Sequence, residues 1–279
     1  MKRLSISEVT TPDWSFREDV ENYSEHGIPG IGVWYHKIRD VEIEEVKKTL
    51  RSSGLRVSSL LQAGFFALDR KKKEELSFCI PEMTDAVELA HEIGAEALEI
   101  ITGPPDLTKG GIGEVEKLTI RSLKEIAPLA EELNVRIALE PLHPMYLDTW
   151  SSIVTIEQAM NIIDEVGSGN IGICLDVYHV YWDPKLYEGI KRASGRIFGV
   201  HIDDWRFPTR NFGDRVIMGD GIIPLNAIVQ VIEDTGYTGC YEVELFSEEL
   251  SKVDHDTLLE HIKDAYNSIP NGETPWVSR

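Results

Sequence analysis

Several features are scarce in this sequence, and each scarcity argues against a class of protein. Basic residues are outnumbered, because 28 Lys and Arg stand against 48 Asp and Glu, a formal charge of −20. Phosphate backbones and anionic membranes are bound through Lys and Arg, so we expect neither nucleic acid nor a membrane surface as a partner. No apolar run approaches the roughly 20 residues of a membrane helix, and an acid at Glu8 comes too early for a signal-peptide core. The three cysteines are widely spaced, which fits reduced thiols in a cytoplasmic protein.

One pattern is abundant instead: a short apolar run, a loop and an amphipathic helical segment, repeated along all 279 residues. Gly54 and Gly167 close two of these helical segments as plausible C-terminal caps, and Thr155 with Gln158 has capping-box spacing. Pro128 should kink the segment 114–133 or split it. The apolar runs are Leu4–Val9, Ile31–Trp34, Arg56–Leu61, Ala97–Ile101, Val135–Leu139, Ile171–Leu175, Ile197–Ile202 and Cys240–Leu245.

This repetition predicts an α/β fold, a (β/α)₈ TIM barrel formed as a single domain over residues 1–279. The apolar character of the runs is typical of parallel strands that are covered on both faces. A doubly wound open sheet is the alternative, but the first strand-to-helix turn lacks a G-x-G-x-x-G phosphate cradle. No linker rich in Ser, Gly or Pro divides the chain.

Ionisable residues end four consecutive runs, in the second half of the chain. Glu140, Asp176 and His201 end runs five to seven, and Glu242 and Glu244 lie in run eight. An acid after a single strand usually caps the next helix. Four such strands side by side would bring their side chains together, and three carboxylates at that spacing would repel unless a cation neutralised them. A set of carboxylates and an imidazole suits Mn²⁺, Mg²⁺, Co²⁺ or Zn²⁺, so a metal site is favoured.

Tryptophans also follow the runs. Aromatic faces there suit the rings of a sugar or polyol, but packing between loops or an interface of a homo-oligomer would produce the same pattern. The residues are Trp14, Trp34, Trp150, Trp182 and Trp205.

These segments resemble one known group of proteins, the xylose isomerase-like TIM-barrel superfamily, and within it the inosose isomerase and tagatose epimerase branch. The resemblance extends from Ile6 to Glu244 and is densest after residue 135. It is carried by the motifs Ala138-Leu139-Glu140-Pro141, Leu175-Asp176-x-x-His179, His201-Ile202-Asp203-Asp204, Arg215-x-x-x-Gly219-x-Gly221 and Val243-Glu244-Leu245-Phe246.

The resemblance implies a role for individual residues. Glu140, Asp176, His201 and Glu244 would hold one divalent cation. Mn²⁺ is the first candidate, and Zn²⁺, Co²⁺ and Mg²⁺ are the others. The two glutamates would also act as acid and base. His179 and Arg215 would contact the substrate.

The sequence assigns a role less clearly at the following positions. His143 could reach the substrate or make a loop hydrogen bond, and Gln62 is a further polar candidate. We expect Glu242 to lie one layer below Glu244 as a structural partner. The Gly219–Gly221 segment could bind phosphate, but the Asp220 carboxylate favours a turn that positions Arg215.

The function implied is a metal-dependent isomerase or epimerase acting on a small keto-sugar or ketocyclitol through a metal-stabilised enediolate. The alternative is a lyase or dehydratase that uses the same metal and base to expel a leaving group, like dehydroshikimate dehydratases or C-glycoside-cleaving enzymes. An endonuclease IV-like repair enzyme and a non-catalytic metal-binding subunit are further alternatives. The negative net charge argues against a DNA repair enzyme, and the presence of candidate acid–base residues argues against a non-catalytic subunit.

Overall fold

A closed barrel of eight parallel strands forms the centre of the protein. The computed structural model describes residues 2–65, 79–105 and 111–269. The strands follow one another around the barrel in the order β1-β10-β7-β6-β5-β4-β3-β2. They are β1 (Leu4–Ser7), β2 (Gly30–Trp34), β3 (Arg56–Phe65), β4 (Leu98–Ile101), β5 (Ile137–Leu139), β6 (Ile171–Asp176), β7 (Ile197–His201) and β10 (Tyr241–Val243). The predicted TIM barrel is therefore confirmed, with a strand within each apolar run.

The helices occupy the segments between the strands. They are α1 (Phe16–Glu25), α2 (Tyr35–Ile38), α3 (Ile43–Ser53), α4 (Cys79–Ile93), α5 (Gly111–Glu132), α6 (Ile156–Val166), α7 (Val177–Val180), α8 (Leu186–Arg192), α9 (Leu225–Asp234) and α10 (His255–Ser268). Gly54 and Gly167 end α3 and α6 in the left-handed region, at φ +74° and +76°. Of the two alternatives predicted for Pro128, a kink or a split, the split is wrong, because α5 continues through this residue.

Burial on both faces explains why the strand sequences read as apolar runs. All residues of β6 are buried, as are those of β1, β4, β5 and β10. The helices supply the outer layer, for example through Ile156, Ala159 and Ile163 of α6, which are buried in the same core cluster. Burying a side chain of this size contributes about 1.5–3 kcal/mol. No helix in the described ranges is long and apolar enough to cross a membrane.

A small antiparallel hairpin after β7 carries Arg215. It consists of β8 (Asp204–Trp205) and β9 (Arg215–Val216). The Asp204 carboxylate accepts hydrogen bonds from the backbone N–H groups of Gly219, Gly221 and Ile223, at 2.9–3.1 Å. Residues 219–223 therefore form a turn around the Asp204 carboxylate, next to β9, the strand that carries Arg215. The backbone N–H groups of this segment point to Asp204, which agrees with the interpretation of the segment as a turn.

Candidate metal centre

One imidazole and three carboxylates meet at the carboxyl end of the barrel. Nδ1 of His201 lies 3.4 Å from Oε1 of Glu140, 3.7 Å from Oε2 of Glu244 and 3.9 Å from Oδ2 of Asp176. All four side chains are about nine-tenths buried or more. We call these residues the His201 cluster. The structure thus brings together, at one end of the barrel, the four residues predicted to bind metal.

Strand register explains why the side chains of the His201 cluster lie close together. Asp176 and His201 are paired residues of β6 and β7, and His201 is paired in turn with Glu242 of β10. The backbone N–H of Glu140 extends β5 by donating to the carbonyl of Ile100 at 2.9 Å. The cluster residues consequently end neighbouring strands.

Asp176 serves two roles with its two oxygens. Oδ1 accepts a hydrogen bond of 2.8 Å from the N–H of Tyr178 and so caps α7, while Oδ2 faces His201 and Arg215. Asp176 therefore caps α7 with one oxygen and places the other in the His201 cluster.

The cluster has the properties of a cation site. Burial raises the pKa of Glu140 to about 8, and the charges of Asp176 and Glu244 add to the rise. Oε1 of Glu140 and Nδ1 of His201 are buried and have no hydrogen-bond partner. Ligand atoms of Glu140, Asp176 and His201 all lie within 4.8 Å of one another. A divalent ion would neutralise these charges and satisfy the unpartnered atoms, and oxygen and imidazole ligands suit Mn²⁺, Co²⁺ or Zn²⁺, so the residues fit the predicted metal.

Arg215 is the cation that already lies beside these acids. Its Nη1 donates to Oδ2 of Asp176 at 2.9 Å, to Oδ2 of Asp203 at 2.7 Å and to Oε2 of Glu244 at 2.9 Å. Although burial acts in the opposite direction, Arg215 and the rings of His179 and His201 hold the pKa of Asp176 well below its usual range. The residue predicted to contact substrate thus also balances the charge of two predicted metal ligands.

His179 is buried next to Arg215. Nη2 of Arg215 lies 3.1 Å from Nε2 of His179, and since guanidinium can only donate, Nε2 is the acceptor. Burial lowers the pKa of His179 to about 3, so the ring is neutral and carries its proton on Nδ1. Nδ1 is buried and has no hydrogen-bond partner, and His179 is one of the residues that line the cavity described below.

His143 and Gln62 have weaker support as substrate contacts. Nδ1 of His143 accepts a 3.2 Å hydrogen bond from the N–H of Met145, and its ring packs on Trp205 with centroids 4.8 Å apart. Burial lowers the pKa of His143 to about 4. The loop hydrogen bond considered from the sequence is therefore present. Gln62 belongs to β3, but its side chain lies outside the described part of the structure.

A cavity of about 140 Å³ opens onto the cluster. Its polar groups come from Glu99, Glu140, His179, Arg215 and Glu244. Most of the remaining wall is apolar and is formed by Val9, Trp34, Leu61, Ile101, Leu142, Trp150 and Phe246. A larger groove, near 710 Å³, runs over α1 and α3, but exposed side chains dominate its lining. The cavity at the barrel mouth has the convergent polar groups expected of a ligand site.

Sequence reasoning did not single out two buried acids of the site. Oε2 of Glu99, on β4, lies 3.0 Å from Nε2 of His201, and Asp203 is an ion-pair partner of Arg215. A carboxylate inside the otherwise apolar run Ala97–Ile101 was the available signal for Glu99. The expectation for Glu242 agrees with the structure, since its carboxylate is buried and accepts hydrogen bonds from Ser58 and Ser59.

Comparison with known proteins places these observations in a family. The profile described as xylose isomerase-like TIM barrel matches residues 20–266. An inosose isomerase of Bacillus velezensis is 27% identical, with 96% of both chains covered. A D-psicose 3-epimerase of Enterocloster bolteae is 24% identical over 85% of this chain and 79% of its own.

Two solved structures are similar over nearly the whole chain. Protein SMc04130 of Sinorhizobium meliloti 1021 has a TM-score of 0.90 and 32% identity, covering 96% of this chain and 98% of that one. The IOLI protein with a bound zinc atom has a TM-score of 0.83 and 25% identity, covering 98% of this chain and 100% of that one. Because the family profile covers most of the sequence, this chain belongs to the xylose isomerase-like TIM barrel family.

Proposed function

We propose that this protein is a cytoplasmic isomerase or epimerase that depends on a divalent metal and acts on an uncharged keto-sugar or ketocyclitol. The observation that carries the proposal is the convergence of Glu140, Asp176 and Glu244 on Nδ1 of His201. Relatives named inosose isomerase and D-psicose 3-epimerase support the reaction class.

Four side chains would hold the metal: Glu140, Asp176, His201 and Glu244. When bound, a divalent ion supplies electrostatic stabilisation of the negative charge that develops on the substrate oxygens as the neighbouring C–H proton leaves. Mn²⁺ remains our first candidate among ions that suit this ligand set, and Zn²⁺ is the alternative with a precedent in a similar structure.

Proton transfer falls to Glu140 and Glu244. Both carboxylates line the cavity, so each could reach a substrate bound there. One would take the proton from the carbon next to the carbonyl, and the other would return it. Return to the same carbon gives an epimer, whereas return to the adjacent carbon gives an isomer.

Substrate contacts are assigned to His179 and Arg215. The Nδ1–H of His179 has no protein partner and can donate to a hydroxyl or carbonyl oxygen. Among the residues described around the cavity, Arg215 is the one cation, and Asp176, Asp203 and Glu244 already neutralise it. A phosphate dianion would therefore be poorly compensated, which supports an uncharged substrate. The apolar wall would cover the C–H faces of a sugar or cyclitol ring.

Solvent isotope exchange tests the proposal. Metal-loaded protein is incubated in D₂O with a panel of uncharged keto-sugars and inososes, and the products are analysed by mass spectrometry and NMR. We expect deuterium at the product carbon for at least one substrate, and elemental analysis should find about one divalent ion per chain. Glu140→Gln should remove the exchange, whereas the exposed control Glu132→Gln should keep it.

Three outcomes would contradict the proposal. Turnover without solvent deuterium in the product would exclude the relay between the two glutamates. Release of water or another leaving group from the keto substrate would replace isomerisation with elimination by a lyase. Full activity after removal of metal with EDTA would eliminate the metal site itself.

A further inference from the structure

The ring of His201 lies between two separate groups of acidic side chains. Its Nδ1 faces the carboxylates of the His201 cluster, whereas its Nε2 faces the opposite way. Around Nε2 lie Oε2 of Glu99 at 3.0 Å, Oε1 of Glu242 at 3.8 Å and Sγ of Cys174 at 3.9 Å. All three of these residues are at most 3% exposed.

Two of the three neighbours of Nε2 lie farther from it and have other hydrogen-bond partners as well. The Glu242 carboxylate accepts hydrogen bonds from Ser58 at 2.6 Å and from Ser59 at 2.9 Å. The Cys174 thiol donates to Oε1 of Glu99 at 3.4 Å. Oε2 of Glu99 is the nearest of the three to Nε2 and has no hydrogen-bond partner of its own. Glu99 is therefore the acceptor available for a proton on Nε2.

Space for this carboxylate is provided by a glycine on the neighbouring part of the barrel. A Cβ at Gly199 would lie 2.6 Å from Oε1 of Glu99, closer than real Cβ atoms come, and 3.1 Å from Sγ of Cys174. Burying a carboxylate is costly unless it is paired. An acid that is accommodated in this way inside an apolar strand, against a histidine, indicates a function for the pair.

We propose that Glu99 is a positioning residue that holds the His201 proton on Nε2 and so presents the Nδ1 lone pair to the metal. A histidine that binds a metal usually donates its other ring N–H to a carboxylate or carbonyl, which fixes both the tautomer and the ring orientation. This inference rests on the proposed metal site and adds to it a residue that acts through His201.

Metal affinity of the stripped protein tests the inference. Zn²⁺ and Mn²⁺ are titrated in competition with a chromophoric chelator, for wild type, Glu99→Gln and the control Glu96→Gln. Glu96 makes its ion pair with Arg56 near the surface, so it offers the same chemical change outside the site. We expect Glu99→Gln to bind about 10–100-fold more weakly, and Glu96→Gln to bind like wild type. Denaturant unfolding of the metal-free variants should show Glu99→Gln to be as stable as wild type, which a purely structural acid would not allow.

A second measurement needs no variant and covers the case in which Glu99→Gln fails to fold. In Zn²⁺-loaded wild type labelled with ¹⁵N-histidine, one ring should bind metal through Nδ1 and carry a slowly exchanging proton on Nε2. Binding through Nε2 would overturn the inference, as would equal affinity of Glu99→Gln and wild type. A second equivalent of Zn²⁺ that disappears in Cys174→Ser would also overturn it, because Glu99 and Cys174 would then be ligands themselves. If wild type binds no metal at all, the proposed function fails first.

Discussion

Two buried groups of charged side chains lie beyond the strand ends of this barrel, and they are balanced differently. The Lys37 cluster, after β1 and β2, consists of Glu8, Asp19 and Lys37. Nζ of Lys37 donates to Oδ2 of Asp19 at 2.5 Å, and the Thr11 hydroxyl donates to the other oxygen of Asp19 at 2.6 Å. Burial and the charge of Asp19 raise the pKa of Glu8 well above its usual range. Asp19 is the ion-pair partner of Lys37.

The His201 cluster holds more acidic groups for each cation. Three carboxylates surround one imidazole, and Arg215 is shared among Asp176, Glu244 and the additional acid Asp203. Oε1 of Glu140 and Nδ1 of His201 are left without a partner. The comparison teaches that burial of charge does not by itself indicate function. What distinguishes the candidate site is that three carboxylates converge on one imidazole nitrogen at the mouth of a cavity.

The largest expected effect comes from removing one negative charge from the His201 cluster. Glu244→Gln keeps the shape of the side chain but loses a metal ligand and a proton carrier. We expect metal binding to weaken and turnover to fall by about 10²–10⁴-fold or more, measured by metal titration and steady-state kinetics. The exposed neighbour Glu248 offers a matched control, Glu248→Gln, which should behave like wild type. Normal metal content and turnover in Glu244→Gln would remove Glu244 from the site.

The second effect concerns the Lys37 cluster and should appear in stability alone. Lys37→Met leaves the Asp19 carboxylate buried without its cation, so the free energy of unfolding should fall by about 3–5 kcal/mol. Urea denaturation measures this change, and Lys48→Met, at an exposed position, is the control. Folded Lys37→Met should bind metal like wild type. Loss of metal binding without loss of stability would contradict the distinction between the two clusters.

A smaller effect is expected where a charged residue contacts both substrate and cluster. Arg215→Ala should lower kcat/KM, with a rise in the activation free energy of about 1.5–3 kcal/mol, the contribution of a charged hydrogen bond. The metal content of the loaded enzyme should stay the same. Arg192→Ala removes a surface ion pair with Asp164 and should leave kcat/KM unchanged. If Arg215→Ala lost its metal but kept its kcat/KM, Arg215 would be a structural counter-ion and not a substrate contact.

The smallest and most gradual effect is on the pH dependence of stability. The pKa of Glu140 rises from 4.5 to about 8 on folding without metal, so the folded protein binds this proton more tightly than the unfolded chain does. Its stabilising contribution is complete below pH 4.5 and is lost as the pH rises through 8. A divalent ion competes with that proton, so the increase in Tm on adding metal should grow between pH 5 and pH 8. Differential scanning calorimetry with and without Mn²⁺ measures this increase, and a constant increase across the range would contradict the prediction.

Much of the fold and part of the site could be predicted from the amino-acid order alone. Strands covered on both faces must be apolar throughout, so runs such as Ile171–Leu175 indicate parallel strands without any knowledge of their partners. Because a TIM barrel brings the carboxyl ends of its strands to one face, the residues that end the runs, Glu140, Asp176, His201 and Glu244, could also be predicted to meet.

Other features depended on distances that only the closed barrel sets. Glu99 is separated from His201 by 102 positions in the chain, and their contact at 3.0 Å exists because β4 and β7 project side chains into the same interior. Arg215 was predicted as a substrate contact from its motif, but its shared ion pairs with Asp176, Asp203 and Glu244 follow from where the β8–β9 hairpin lies. The sequence by itself therefore determined which residues end the strands, since that depends on local burial and period. Tertiary structure decided which charges are balanced, since partners distant in the chain meet only through strand register and barrel closure.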